Sequence, residues 1–374
     1  MKKTLLLSTA IAMLIGSGAA YAGNIADVLQ IGSDNTGVIG QSTGASNVSK
    51  VKQDGDDNTA TIDQNGTGNS AGRNNDTYPI YGKMWQTGNN NTIDVLQTGN
   101  TNGIAAVTGT GNFLQQGDRN EANITQHGSN DGSGNEVYNI HQIANSGGGN
   151  PTNKLTILQD KVPNNYYGTP GVDSIYGELI TGGNYSYIWN IIGSVTQTNT
   201  GGATNEMKLN QKGAIWRRNN KIVNADQNGT GNTGTVDQNG ILNYTGTFSQ
   251  TGSNNEAHLT LHGYGNGGDS IHTTTVLNAG SFSATSQANG SLLGAAYGVG
   301  ATQGDMIQNG MGNLFSFSVN GDLTRYGFSQ FGDYNEVTGT TSENGNEVAV
   351  MQDGSHNITD FTQTGDYNDL GVAI

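Results

Sequence analysis

Cysteine is absent from the 374 residues, which excludes disulfide frameworks, thiol nucleophiles and Cys-ligated metals. Large apolar side chains are scarce: hydrophobic residues make up 33% and aromatics 7%, too few for a conventional core of bulky side chains. Charged residues reach only 12%, with 15 Lys and Arg against 30 Asp and Glu. Without a basic stripe to track phosphates, nucleic acid is not an expected partner. The one basic cluster, Arg217, Arg218 and Lys221 beside Trp216, reads as a solvated loop rather than a contact for an acidic neighbour. What fills the space is Gly, at 59 residues, together with Asn, Gln, Thr and Ser. Such a chain is either disordered or folded by a repetitive scheme that buries polar side chains.

The chain starts Met-Lys-Lys, continues with an apolar run from Leu5 to Ile15, and reaches Ala20-Tyr21-Ala22 before Gly23. A charged start, a short apolar run and a small-x-small site make a Sec-type signal peptide over 1–22, cleaved between Ala22 and Gly23. The run is short of the roughly 20 apolar residues a membrane span needs, so no membrane insertion is expected after processing. Loss of Lys2 and Lys3 takes the formal net charge from −15 to −17.

Internal repetition dominates residues 23–374. The hexamer Gln-x-Gly-x-x-Asn occurs as Gln30-Gly32-Asn35, Gln53-Gly55-Asn58, Gln64-Gly66-Asn69, Gln86-Gly88-Asn91, Gln97-Gly99-Asn102 and Gln115-Gly117-Asn120. It returns as Gln227-Gly229-Asn232, Gln238-Gly240-Asn243, Gln250-Gly252-Asn255, Gln308-Gly310-Asn313, Gln330-Gly332-Asn335, Gln352-Gly354-Asn357 and Gln363-Gly365-Asn368. Many gaps are 11, 12 or 22 residues, and Gln41, Gln126 and Gln211 head relaxed copies. Between hexamers runs Asn-x-Φ-x-Φ-x-Gln, Φ being apolar, as in Asn91-Ile93-Val95-Gln97, Asn153-Leu155-Ile157-Gln159, Asn205-Met207-Leu209-Gln211 and Asn346-Val348-Val350-Gln352. Alternation with period two is a strand signal that puts these four side chains on one face. In the turn, Gly adopts positive φ without steric cost and Asn or Asp tolerates the same region. Twelve-residue steps, such as that spanning Asn243 to Gln250, are expected to be absorbed as bulges.

An antiparallel meander would leave the apolar face uncovered. The expected fold is therefore all-β: a β-solenoid with two short strands per coil of about 22 residues, coils stacked parallel and in register about 4.8 Å apart, and inner faces pressed together. Length divided by 22 suggests about 16 coils. Stacking lets each Gln or Asn donate to its counterpart one coil away, so the buried amides form ladders rather than unpaired groups. Three stretches break the phase, about 71–85, 143–202 and 263–302. The second holds Pro151, Pro163, Pro170 and the aromatics Tyr166, Tyr167, Tyr176, Tyr185, Tyr187 and Trp189. It reads as degenerate coils with bulging loops whose aromatics pack on the flank, the alternative being an adhesive surface.

The phased hexamers resemble the curlin repeat of bacterial curli proteins, Ser-x5-Gln-x-Gly-x-x-Asn-x5-Gln, most closely at Gln53-Gly55-Asn58-x5-Gln64 and Gln86-Gly88-Asn91-x5-Gln97. The leading Ser is usually Asn here, as at Asn47 and Asn58, and the chain is longer than that family's short-array subunits. The resemblance implies export through the outer membrane of a Gram-negative cell and polymerisation into extracellular amyloid fibres serving adhesion and biofilm matrix. It also implies partners: further copies of the chain, a nucleator subunit, an outer-membrane export pore and periplasmic chaperones. A monomeric surface adhesin that binds glycans or host surfaces is the rival reading.

No enzyme is expected, and no cofactor or metal. Gly229-x-Gly231-x-x-Gly234 fits a dinucleotide fingerprint, but the alternating Thr235-Val236-Asp237-Gln238 follows it rather than a helix. His127, His141, His258, His262, His272 and His356 are scattered, and the spacing of His258 and His262 suits a metal only on a helix. The turn carboxylates Asp54, Asp56, Asp57, Asp333, Asp353 and Asp366 are expected to charge the outside of the fibre and oppose sideways association.

Overall fold

A computed structural model describes residues 11–15, 23–72, 83–99, 102–105, 111–127, 135–144, 152–159, 190–211, 220–241, 243–267, 301 and 304–374. These residues form strands and turns, with no helix among them. The strands arise where the alternation predicts them. In Thr92–Thr98 the side chains of Ile93, Val95 and Gln97 are buried while Thr92, Asp94 and Leu96 face outward.

Strand pairing among the described residues is parallel throughout, which rules out the antiparallel meander. A 14-stranded sheet runs from Ile25–Ile31 to Asp369–Ala373. A five-stranded sheet contains Thr36–Thr43, Thr59–Asn65, Thr92–Thr98 and Asn123–His127, and a six-stranded sheet contains Glu336–Ser342 and Ile358–Gln363. Backbone bonds from Glu121 to Asn153, Lys154 to Asn205, Glu206 to Asn232, Thr233 to Asn255 and Glu256 to Asn313, at 2.8–2.9 Å, carry the same progression from one short sheet to the other. Large parallel sheets joined by such ladders are compatible with a β-solenoid.

The interior is one long apolar cluster reaching from Ile39 to Val350, with a small second one at Ala301, Ala349 and Met351 and with Gln and Asn buried beside them. Toward the C-terminus its character changes. Phe315, Phe317, Tyr326, Phe328 and Phe361 interlock there, with the Phe315 and Phe328 centroids 4.7 Å apart and edge-on. Edge-to-face and offset contacts of this kind add about 0.5–1.5 kcal/mol per pair beyond area burial.

The long steps are resolved by stacked bulges. Register passes from Val137↔Ile192 to Asn139↔Ser194, from Ile192↔Ile222 to Ser194↔Asn224, and from Ile222↔Thr245 to Asn224↔Thr247. Tyr138, Gly193, Val223 and Gly246 are thus extra residues at one level of four successive strands, which keeps the rungs above and below in phase.

Two stretches expected to be degenerate contain regular structure. Ile191–Asn199 pairs over its length with Glu136–Ala144 and Lys221–Thr230, and Lys83–Thr87 pairs with Val48–Asp54. Residues 160–189, with Pro163, Pro170 and the aromatics, lie outside the described residues, as do Pro151, Arg217, Arg218 and Ala22.

Candidate functional site: amide ladders and open edges

In the long sheet the inward Gln side chains form one continuous chain of hydrogen bonds. Nε2 donates to Oε1 of the next residue along Gln30, Gln53, Gln86, Gln115, Gln142, Gln197, Gln227, Gln250, Gln308, Gln330 and Gln352, every bond between 2.7 and 3.0 Å. Most Nε2 groups also reach a backbone carbonyl across the coil, as Gln308 does to Glu256 O (2.9 Å) and Asn313 O (3.1 Å). The hexamer pattern misses Gln142 and Gln197 because neither is followed by its Gly and Asn. The shorter signal Φ-x-Gln, present as Ile140-x-Gln142 and Val195-x-Gln197, would have found them.

The opposite ladder is discontinuous. Gln41 donates to Gln64 and Gln64 to Gln97 (2.9 and 2.8 Å), whereas Gln238 donates to Gln211, Gln211 to Gln159 and Gln159 to Gln126 (2.6, 3.0 and 2.8 Å). The slot is then filled by Leu261, Val319 and Thr341 before Gln363. Gln363 therefore stacks on no other Gln, contrary to its expected place in a ladder, and its Oε1 and the Thr341 hydroxyl are both buried without a partner. Apolar residues take the slot where the core turns aromatic, so hydrophobic burial substitutes for amide pairing in that region.

The Asn columns work differently from simple amide stacking. Along most of each column Oδ1 accepts the backbone N–H of the next Asn, as in Asn58 to Asn35, Asn91 to Asn58 and Asn313 to Asn255, all at 3.0 Å. Nδ2 reaches the turn carbonyl one coil on, for example Asn58 to Gly88 O at 2.7 Å and Asn335 to Gly354 O at 2.9 Å. The second column runs through Asn24, Asn47, Asn69, Asn102 and Asn135, and again through Asn190, Asn220, Asn243 and Asn266. Asn135, Asn190, Asn220 and Asn266 lie outside the hexamers and were not legible from them.

Of the hexamer glycines all but Gly240 have positive φ. Gly240 is needed for room instead, since a Cβ there would lie 2.1 Å from Gly263 O. The turn carboxylates also do more than charge the exterior. Ser33 N–H donates to Asp56 Oδ1 at 2.6 Å, Asp56 N–H to Asn89 Oδ1 and Asn89 N–H to Asp118 Oδ1, both at 2.8 Å. Bonds from the Ser33 hydroxyl and N–H hold the Asp56 carboxyl below the usual range.

Of the remaining motifs, His258 contacts Glu256 at 3.3 Å on an outward face, Lys221 lies 5.6 Å from the Tyr244 ring centroid, and the Gly229–Gly234 segment is strand and turn. Among the described residues no cluster of His, Asp or Glu could hold a metal, and no helix is long and apolar enough to cross a membrane.

Three half-buried outer carboxyls, Glu136, Asp226 and Asp305, are pushed up, chiefly by burial. The folded state therefore binds more protons than the unfolded chain between about pH 4 and the raised values, so their contribution is largest in acid and is lost as pH rises. Burial lowers His141, which acts the other way below about pH 6.5. Asp305 accepts the Thr247 N–H at 2.7 Å, a bond that Asn preserves. Asp305→Asn and Asp226→Asn are expected to raise the urea midpoint at pH 7, with the gain shrinking toward pH 4; a gain independent of pH would contradict the burial account.

Among the described residues each outermost strand of the long sheet has one free edge, while the Thr36–Gly40 edge of the first coil carries Ile11–Ile15. Ile25–Ile31 pairs only with Val48–Asp54, and Asp369–Ala373 only with Glu347–Asp353, among the described residues. Several of the most exposed large apolar side chains lie in these outer coils: Ile25, Leu29 and Ile31 at one end, Ile358, Tyr367 and Ile374 at the other. Chemically, the arrangement among the described residues offers unpaired strand edges and amides. No protein-family model matches the chain, and no curated protein matches it.

Proposed function

We propose that the chain is a structural subunit, a β-solenoid of curlin type that self-assembles end to end into extracellular amyloid fibres serving adhesion and biofilm matrix. The observation that carries this reading is the Gln ladder from Gln30 to Gln352 running parallel to the stacking axis, with the outer edge of the last strand at each end unpaired among the described residues. A further subunit would extend the backbone ladders and the Asn columns together, which is the physical basis of templated growth. Export from the cell after removal of residues 1–22, with a nucleator subunit, an outer-membrane pore and periplasmic chaperones as partners, follows from the curlin resemblance.

Length suggests about sixteen coils, but the Gln rungs are unevenly spaced along the sequence. Successive Gln rungs are separated by 22 or 23 residues at Gln30–Gln53, Gln227–Gln250 and Gln308–Gln330–Gln352, but by 33 at Gln53–Gln86, 55 at Gln142–Gln197 and 58 at Gln250–Gln308. Rungs that far apart in sequence still pair directly, so the surplus chain adds no rung to this sheet.

Residues 23–374 diluted from denaturant to micromolar concentration are expected to form seedable fibres that bind amyloid dyes and diffract near 4.7 and about 10 Å. A monomer that never seeds would overturn the fibre reading and favour a capped surface adhesin.

A further inference from the structure

We infer that the two ends are complementary in one particular register, with the last coil of one copy seated beneath the first coil of the next: Ile358–Gln363 against Thr36–Gln41, and Asp369–Ile374 against Ile25–Gln30. This rests on the self-assembly reading above and deepens it by naming the contacts of the joint.

The argument starts from what each interior coil provides to its successor and the last coil does not. Asn313 Oδ1 accepts the Asn335 N–H and Asn335 Oδ1 accepts the Asn357 N–H, yet Asn357 Oδ1 and Asn368 Oδ1 accept nothing among the described residues. Gln308 Nε2 reaches two backbone carbonyls and the next Gln, whereas Gln363 Nε2 reaches the two carbonyls only, Glu347 O at 3.1 Å and Asn368 O at 3.2 Å. An added Cβ would lie 1.7–2.0 Å from the next coil's carbonyl at Gly229, Gly252, Gly310 and Gly332, but at Gly354 and Gly365 the nearest atom is an Asn side chain at 3.6 and 3.7 Å. Among the described residues nothing stacks on the outer side of this coil.

The first coil carries the matching groups in the matching columns. Asn35 and Asn24 head the two Asn columns and would bring their backbone N–H groups to Asn357 and Asn368. Gln41 Oε1, which accepts nothing among the described residues, would take the Gln363 Nε2. That polarity agrees with the Gln41 to Gln64 to Gln97 run, where Nε2 points toward the later coil. The Thr36–Gly40 edge already accepts a parallel strand in the full chain: Ile11–Ile15 lies on it, from Ile11↔Thr36 to Ile15↔Gly40. The register makes one mismatch, placing Ile374 against Gln30, whose Oε1 is buried and unpaired. The long-sheet ladder therefore stops at each joint while the opposite slot continues.

Because the chain has no cysteine, introduced pairs report the register without interference. Ile358 and Thr36 share an outward column, so in the double variant Thr36→Cys/Ile358→Cys the two Cα atoms of neighbouring copies would lie about 4.8 Å apart, within disulfide range. In Val38→Cys/Ile358→Cys the offset of two residues puts them about 8 Å apart, beyond it. With residues 23–374, which leave the Thr36 edge uncovered, fibres of the first variant are expected to give a covalent ladder of dimers, trimers and higher species on mild oxidation. Fibres of the second are expected to yield less than a tenth as much. Fibres in which neither pair crosslinks, or both do equally, would overturn the register and leave self-assembly standing. Variants and parent that all remain monomeric, with parental circular dichroism, would overturn both.

Discussion

Gly229→Ala is expected to cost more than about 3 kcal/mol, while Gly354→Ala, at the same hexamer position, costs about 1–2. Both glycines have strongly positive φ, +131° and +117°, a region that strains any L-residue with a Cβ. The difference lies in what the new methyl would meet. At Gly229 it would sit 1.7 Å from the Gly252 carbonyl oxygen, and at Gly354 nothing closer than the Asn357 amide at 3.6 Å. A backbone carbonyl cannot rotate away as a side chain can, so the coils must separate, breaking the Gln227–Gln250 bond and the strand pairing beside it. Hydrogen exchange is the suitable measurement, because a stacked fold opens locally. Gly229→Ala should deprotect the amides of 221–230 and 244–253, and Gly354→Ala only those of the last two coils. Equal effects would show that φ strain alone, rather than the approach of coils, sets the requirement for glycine.

Gln250→Leu is expected to destabilise by about 2–4 kcal/mol, and Gln363→Leu in the monomer by less than about 1. Gln250 accepts from Gln227 at 2.7 Å and donates to Gln308 at 2.9 Å and to Asn255 O at 3.1 Å. Leucine fills a similar volume but leaves the buried Gln308 Oε1 without its donor, and such an orphan costs more than a hydrogen bond gains. Gln363 has no Gln beneath it, its Oε1 is already unpaired, and its slot holds Leu261 and Val319 in earlier coils. Urea midpoints of freshly diluted monomer separate the two cases. The order should change in the fibre, where the register inferred above gives Gln363 a partner in Gln41 of the next copy; there Gln363→Leu should slow seeded growth several-fold. Monomer losses of equal size would mean that the ladder is no more than volume filling.

These expectations share one cause: amides here are stabilising only in unbroken rows. A lone buried Gln is a cost, and a row of them spreads that cost to its two ends. The chain's acidic balance, net −15, acts against close packing of flanks while leaving the ends attractive.

Composition and period alone determined the fold class, because a chain with few bulky side chains must bury amides, and amides can be buried in quantity only when like stacks on like. Alternation set which residues face inward, so Ile93, Val95 and Gln97 were legible as core before any coordinates. The hexamer glycines were legible too, since a turn that needs positive φ has few alternatives. Which copies pair was not legible. Gln142 on Gln197 and Gln250 on Gln308 are joined across 55 and 58 residues, and no local pattern says how much chain separates one rung from the next. The swap of Gln for Leu261 and Val319 against an aromatic core, and the four bulges stacked at one level, are likewise decisions of the tertiary structure. Each depends on what the neighbouring coil presents, and contact between coils is made in three dimensions by residues that are remote along the chain.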